Sequence, residues 1–185
     1  PGYFELVRRR GRRRRSLLLR LPGNVLAGLD PLGQGHQGRR ILQRLGIRHA
    51  MVAAGGDSRL LGDKRGRPWN MAIRDPRRPG EVVAVLPLQD VSVSTSGDYE
   101  RYFERDGVRH HHVLNPRTGE SPRSLHSVTI LAEDGLTSEA LSKTVFVLGL
   151  HRGMALIESL PGVDAVVVDA EGALHFSSGL SGLGV

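Results

Sequence analysis

From Ile41 onward the apolar positions switch between helical and strand spacing. Ile41, Leu42 and Leu45 fall at helical intervals, and Gly46 stands where such a helix would end. His49–Ala54 is an apolar run of strand length that enters Gly55-Gly56-Asp57. Trp69–Arg74 and Glu81–Leu88 read as paired strands about the Pro/Gly-rich turn Asp75–Gly80. Val91–Thr95 alternates and stops at Ser96-Gly97-Asp98, and Tyr99–Glu104 with Val108–Leu114 predicts a hairpin about Asp106-Gly107. Val128–Leu131 is a further short strand. Thr137 is placed to cap a helix reaching about Leu148, with Gly149 near its end. Arg152–Leu160 predicts a second helix, stopped by Pro161-Gly162, and Val163–Asp169 with Ala173–Phe176 closes the chain as a hairpin. Strands in runs, flanked by helices, predict an α+β fold with helices packed on a mixed, mainly antiparallel sheet.

Residues 1–40 lack this patterning, and the charge separates them from the rest. They hold ten arginines against Glu5 and Asp30, whereas residues 41–185 hold sixteen basic and seventeen acidic residues. The formal charge of +7 is therefore carried by the first forty residues, most densely in Arg8–Arg15. A like-charge block of this kind is solvated. Without interleaved aromatic or base-reading side chains it does not predict nucleic-acid binding. Two units are expected: an arginine-rich, atypical segment over 1–40, either flexible or aberrant, and a neutral domain over 41–185. The absence of cysteine excludes disulfides, zinc–thiolate sites and thiol catalysis, and no apolar run approaches the ~20 residues of a membrane-spanning helix. The chain starts at Pro1 rather than Met, which leaves room for a signal peptide or larger region before it.

Four stretches carry candidate chemistry. Gly55-Gly56-Asp57 follows an apolar strand, where glycine amides can approach an anion or simply make a tight turn. Ser94-Thr95-Ser96-Gly97-Asp98-Tyr99 offers hydroxyls and a glycine amide to a phosphate or a flavin edge, or reads as a polar turn. In His110-His111-His112 the outer two share a strand face and the middle one does not, so the run makes a poor metal site. Asn115-Pro116-Arg117-Thr118-Gly119 then reads as a turn that leaves Arg117 free to meet a phosphate. Glu139, Ser142 and Lys143 share a helix face, either as a solvated Glu–Lys pair or as a polar ligand face.

Taken in order, these stretches resemble one known family. Gly55-Gly56-Asp57, Gly66-Arg67-Pro68-Trp69, Ile73-Arg74-Asp75-Pro76, Ser96–Phe103, His112–Gly119 and Glu139–Gly149 follow the order of the C-terminal half of the ApbE family, the FAD:protein FMN transferases. The resemblance covers about Ile41 to Leu180. It implies an ApbE-like α+β fold, present here in truncated form. It also implies FAD as substrate, Mg2+ as cofactor, transfer of FMN to a threonine hydroxyl of an acceptor flavoprotein, and release of AMP. It places FAD contacts at Leu114 and His112, and near Gly55, Gly56, Ser96 and Gly97. It places the metal position at Glu139, Ser142 and Lys143. The location it implies is the periplasmic side of the cell envelope.

Two departures from the family pattern bear on function. Glu139 stands where the family has an aspartate, and Lys143 where it has a metal-binding threonine. An ammonium has donors only and cannot ligate a cation. Either Lys143 stands in for the ion's charge, or Thr144 supplies the oxygen after a small rotation of the helix. The family's Asp-Leu-Gly-Gly-Ile strand and earlier FAD-binding half are not visible in residues 1–40, where Asp30-Pro31-Leu32-Gly33 is a poor imitation. A shifted reading frame is one account of this, since the codons for Val25–Asp30, read two bases later, can encode Leu-Gly-Gly-Ile-Gly. The resemblance thus predicts a flavin transferase, possible as an inactive fragment, with a non-catalytic flavin-binding module as the alternative. No nucleic-acid partner is expected, and an exposed interface predicts self-association.

Overall fold

The computed structural model describes residues 6–7, 17–20, 26–29, 34–54 and 56–182. The arginine block over 8–15, the imitation motif over 30–33 and Gly55 lie outside the described residues. Three short strands, β1 (Leu6–Val7), β2 (Leu17–Arg20) and β3 (Leu26–Leu29), pair antiparallel with β2 in the middle. Helix α1 (Gln34–Arg44) follows, so helical structure starts seven residues before the change of texture at Ile41. Leu42 is buried in it, against Val52 and Leu61.

The main sheet has six strands, every neighbouring pair antiparallel. Its strands are β4 (Ala50–Ala54), β5 (Asp57–Leu61), β8 (Ser92–Gly97), β11 (Leu125–Ala132), β12 (Asp164–Asp169) and β13 (Leu174–Phe176). They lie in the order β13-β12-β11-β8-β5-β4. A long hairpin of β6 (Trp69–Arg74) and β7 (Val82–Leu88) covers one face. Its Ile73, Ala84, Leu86 and Leu88 pack with Leu60, Val93, Leu131 and Val166 of the sheet. The hairpin read from Asp106-Gly107 is present as β9 (Tyr102–Arg105) and β10 (Val108–His111). Both turn residues have positive φ, 52° and 71°, as a two-residue turn between twisted strands requires.

Helices α2 (Gly135–Leu148) and α3 (Leu150–Glu158) cover the other face. Because strand side chains alternate, Val128 and Ile130 face α2 while Thr129 and Leu131 face the β6–β7 hairpin. Helix α2 buries Ser138, Ser142, Val145 and Phe146, an i, i+4, i+7, i+8 stripe whose first half is polar and second half apolar. The apolar half lies in one cluster with Val113, Val128, Ile157 and Val167.

The start of α2 differs from the sequence reading. Asp134, not Thr137, is the N-cap: its carboxylate accepts from the Thr137 amide at 2.9 Å and the Thr137 hydroxyl at 2.7 Å. Thr137 lies in the first turn and serves the cap as a donor. At the other end α2 stops at Gly149, and α3 begins at the next residue. The tight return brings Gly153 against α2. A Cβ there would stand 2.6 Å from Val145 Cγ1 and 3.2 Å from its carbonyl oxygen. Gly153→Ala is expected to cost about 1–3 kcal/mol through overpacking, read as a lowered denaturation midpoint with an unchanged slope.

Candidate active site

The polar half of the α2 stripe has a cause in the sheet below it. Ser92, Ser94 and Ser96 alternate along β8, so all three point to the helix side, and all are buried. Ser142 Oγ donates to the Glu139 carbonyl at 2.9 Å, which leaves the Ser96 hydroxyl to donate to Ser142 across 2.9 Å. Ser94 Oγ lies 3.5 Å from Ser142 Oγ. On the next strand Asp57 pairs in register with Ser94, so its side chain emerges on the same face. Ser94 hydrogen-bonds the Asp57 carboxylate. Burial pushes the Asp57 carboxyl above the usual carboxylate range. Ser94 pulls the other way, Glu139 adds to the rise, and Lys143 opposes it. Asp57 is thus in electrostatic contact with both charged residues on the outer side of α2.

Those two residues pair with each other. Lys143 Nζ donates to Glu139 Oε1 at 3.1 Å, and each side chain is 48% exposed. The predicted polar face over Glu139, Ser142 and Lys143 therefore splits. Ser142 turns into the sheet, and the ion pair stays at the surface beside Asp57. The Thr144 hydroxyl donates to the Ala140 carbonyl at 2.8 Å, about 100° round the helix from Lys143.

The remaining candidates fall around the same helix. Gly56 has a φ of 133°, a conformation that L side chains avoid, and it is exposed at the turn leading into Asp57. Gly97 is buried under the ring of Tyr99, where a Cβ would collide. The next residue fastens this corner. Buried Asp98 accepts from Arg77 Nη1 at 3.0 Å and Nη2 at 2.6 Å, and its Oδ2 lies 3.2 Å from His126 Nδ1. A second guanidinium, that of Arg109, stands 3.7 Å from Asp98 and 4.0 Å over the Tyr102 ring. The Ser96–Phe103 motif thus ties the turn of the β6–β7 hairpin to β10 and β11.

The three histidines separate as the strand period requires. His110 stacks on Phe103 at 5.0 Å. His111 is buried, its Nε2 donates to the Pro122 carbonyl at 2.8 Å, and its ring meets Phe146 edge-on at 5.2 Å. His112 is exposed, and its amide donates to the Arg101 carbonyl at 3.1 Å. Val113 joins the apolar cluster under α2, while Leu114 is 54% exposed. Asn115 then shapes the turn: its carbonyl accepts from Gly119 N at 2.8 Å and its side chain from Arg117 N at 3.0 Å. His111 and Val113 seat against α2, and the intervening His112 and the following Leu114 and Arg117 are exposed.

Sequence reasoning placed Asp57 in the glycine turn and the polar face on α2, but not the electrostatic link between them. The available signal was the Ser92, Ser94, Ser96 alternation. Polar side chains buried on one strand call for polar neighbours, and Asp57 is the cross-strand neighbour of Ser94 in that row.

The arrangement matches known proteins over most of the chain. The model of the ApbE family matches residues 34–167. The FAD:protein FMN transferase of Treponema pallidum (strain Nichols) is 37% identical over 166 residues, covering 82% of this chain and 46% of the relative. That of Rhodobacter capsulatus is 44% identical over 126 residues, covering 68% of this chain and 24% of the relative. Among solved structures, the ApbE protein of Thermotoga maritima superposes with a TM-score of 0.74 at 38% identity, over 80% of this chain and 49% of its own. The flavin transferase ApbE of Vibrio cholerae gives a TM-score of 0.66 at 30% identity, over 85% of this chain and 55% of its own. The chain spans about half or less of the length of these proteins. Fold, motif order and sequence agree over the same residues, and the chain belongs to the ApbE family.

Proposed function

We propose that this chain carries the transfer half of a FAD:protein FMN transferase, moving FMN from FAD to a threonine hydroxyl of an acceptor protein with release of AMP. The observation that supports it best is the meeting of the Asp57 turn, the β8 serines and the Glu139–Lys143 face of α2 around one partly buried carboxylate, with the 112–119 segment packed through Val113 on the apolar half of the same helix. The name of the relatives, FAD:protein FMN transferase, supports transfer of FMN from FAD to a protein, and the threonine hydroxyl and AMP are what the family resemblance implies.

The chemistry is displacement at phosphorus. The threonine oxygen forms a bond to the phosphorus on the FMN side. The bond from that phosphorus to the bridging oxygen breaks, and AMP leaves with the bridging oxygen. The hydroxyl proton needs an acceptor. Asp57, beside Ser94 and with its carboxyl raised above the ordinary carboxylate value by burial, is the group suited to take it. Exposed Arg117 and the Gly56 turn are available to phosphate oxygens.

Magnesium, which the resemblance implies, is a hard ion that takes oxygen ligands and usually one or two carboxylates. Asp57 and Glu139 are of the right kind, but Lys143 already occupies an oxygen of Glu139. A single and a double positive charge ~4 Å apart repel by about 2 kcal/mol in water and about 8 kcal/mol at an effective dielectric of ~20. The residues present therefore do not fit a divalent ion while Lys143 holds Glu139, and no step is routed through one. The same lysine is what favours the second reading, a flavin-binding module without transfer.

The assay is incubation of the 185-residue chain with FAD and a threonine-bearing acceptor peptide, scored by AMP and by flavin mass on the peptide. The expected result is AMP and flavinyl peptide in equal amounts. FAD retained without AMP selects the binding module, and neither signal rejects both readings.

A further inference from the structure

We propose that Lys143 is this site's cation, an ammonium built into the chain that neutralises flavin pyrophosphate in place of a divalent metal. The inference rests on the functional reading above, because it assumes that a phosphate-bearing flavin meets this side of α2.

The geometry supports an internal cation in three ways. Glu139 precedes Lys143 by one helical turn, the favourable orientation for such a pair, and the contact is 3.1 Å. The pair does not float on an isolated helix face. Ser142, between them in sequence, is anchored to Ser96 at 2.9 Å, and Ser94 links the same helical turn to Asp57. Lys143 thus pairs with the carboxylate of Glu139 on α2 and stands within electrostatic reach of Asp57 on β5. Finally, an ammonium has three N–H donors. Glu139 takes one, and with the side chain 48% exposed the other two remain open to phosphate oxygens.

A threonine at 143 would present an oxygen and remove the positive charge, leaving Asp57 and Glu139 as an oxygen-rich, negatively charged pair. That is a cation site by composition. One side chain therefore decides whether the charge opposite the pyrophosphate is borrowed from solution or carried by the protein.

The test uses the full chain and three variants, Lys143→Thr, Lys143→Arg and Lys143→Ala, each first shown to melt cooperatively. Uptake of Mn2+ is followed by loss of the free-ion electron paramagnetic resonance signal, with no flavin present. FAD binding is followed by flavin fluorescence in EDTA and in Mg2+. The expected result is no Mn2+ uptake by the native chain and stoichiometric uptake by Lys143→Thr. FAD affinity should be the same in EDTA and Mg2+ for the native chain and for Lys143→Arg. It should fall roughly tenfold or more in EDTA for Lys143→Thr and recover with metal. Lys143→Ala should lose affinity in EDTA. The proposal is overturned if the native chain takes up Mn2+ as well as Lys143→Thr does, if neither takes it up, or if EDTA strips FAD from the native chain. Failure of every form to bind FAD would instead count against the functional reading, and the Mn2+ comparison would still decide the role of Lys143.

Discussion

Truncating Phe146 to alanine should remove about 3–5 kcal/mol of unfolding free energy. The side chain is fully buried, packs with Val113, Val128 and Ile157, and receives the edge of the His111 ring at 5.2 Å. Deleting the ring forfeits its transfer energy and leaves a cavity that rigid neighbours on β11 and α3 cannot close. Against the ~5–15 kcal/mol that holds an ordinary domain together, the loss is a large fraction. Guanidinium unfolding should show it as a lowered midpoint with the slope retained. The consequence reaches the site, because Phe146 lies one turn beyond Ser142 and seats the helix that carries Glu139 and Lys143. A loss below ~1 kcal/mol would show that α2 is not held through this ring, and the placement of the ion pair beside Asp57 would lose its support.

How much of this could be read from the sequence varied with the physical signal each element carries. The β9–β10 hairpin was plain because Asp106-Gly107 supplies two residues that accept positive φ. The β6–β7 hairpin was plain because its Pro/Gly-rich turn separates two apolar runs. Strand β5 was not visible. Asp57 and Arg59 interrupt its apolar pattern, and both are retained because the helix-side face there is polar. Strand β8 was cut short for the same reason, since Ser94 and Ser96 look like a turn until α2 brings Ser142 over them. The α2 boundary failed on local degeneracy: Asp134 and Thr137 are both good caps, and only the structure shows the carboxylate accepting and the threonine donating.

The site was legible in its parts and not in its wiring. The turn before Asp57, the 112–119 stretch and the α2 face were all singled out, and the family order connected them. Pattern alone left Glu139, Ser142 and Lys143 as one face. Packing divides that face, because Ser142 turns inward to meet buried Ser96 while the two charged side chains, too costly to bury, pair at the surface. That division is what leaves Lys143 beside Asp57, with its charge available.

Asp57→Asn is expected to move stability and transfer in opposite directions. Burial places the folded carboxyl above its unfolded value, so the folded state holds the Asp57 proton more tightly than the unfolded chain does. The sign follows: this group favours the fold at pH below the unfolded carboxylate value, and stability falls as pH rises from there through the raised folded value. Above both values the penalty is constant. Asparagine keeps the shape and the contact with Ser94 but carries no charge, so at neutral pH the variant should melt at or above the native temperature, without that slope. Transfer should fall, because an amide cannot accept the threonine proton; loss of a positioned base costs roughly 10²–10⁴ in rate. The native rate should climb with pH along a limb displaced above the ordinary carboxylate range, and that limb should vanish in the variant. Melting and AMP release measured on the same samples across pH separate the two effects. A variant that transfers normally would mean another group takes the proton, and one that melts markedly lower would mean the Asp57 charge, through Ser94 and Lys143, holds the fold together rather than serving the chemistry.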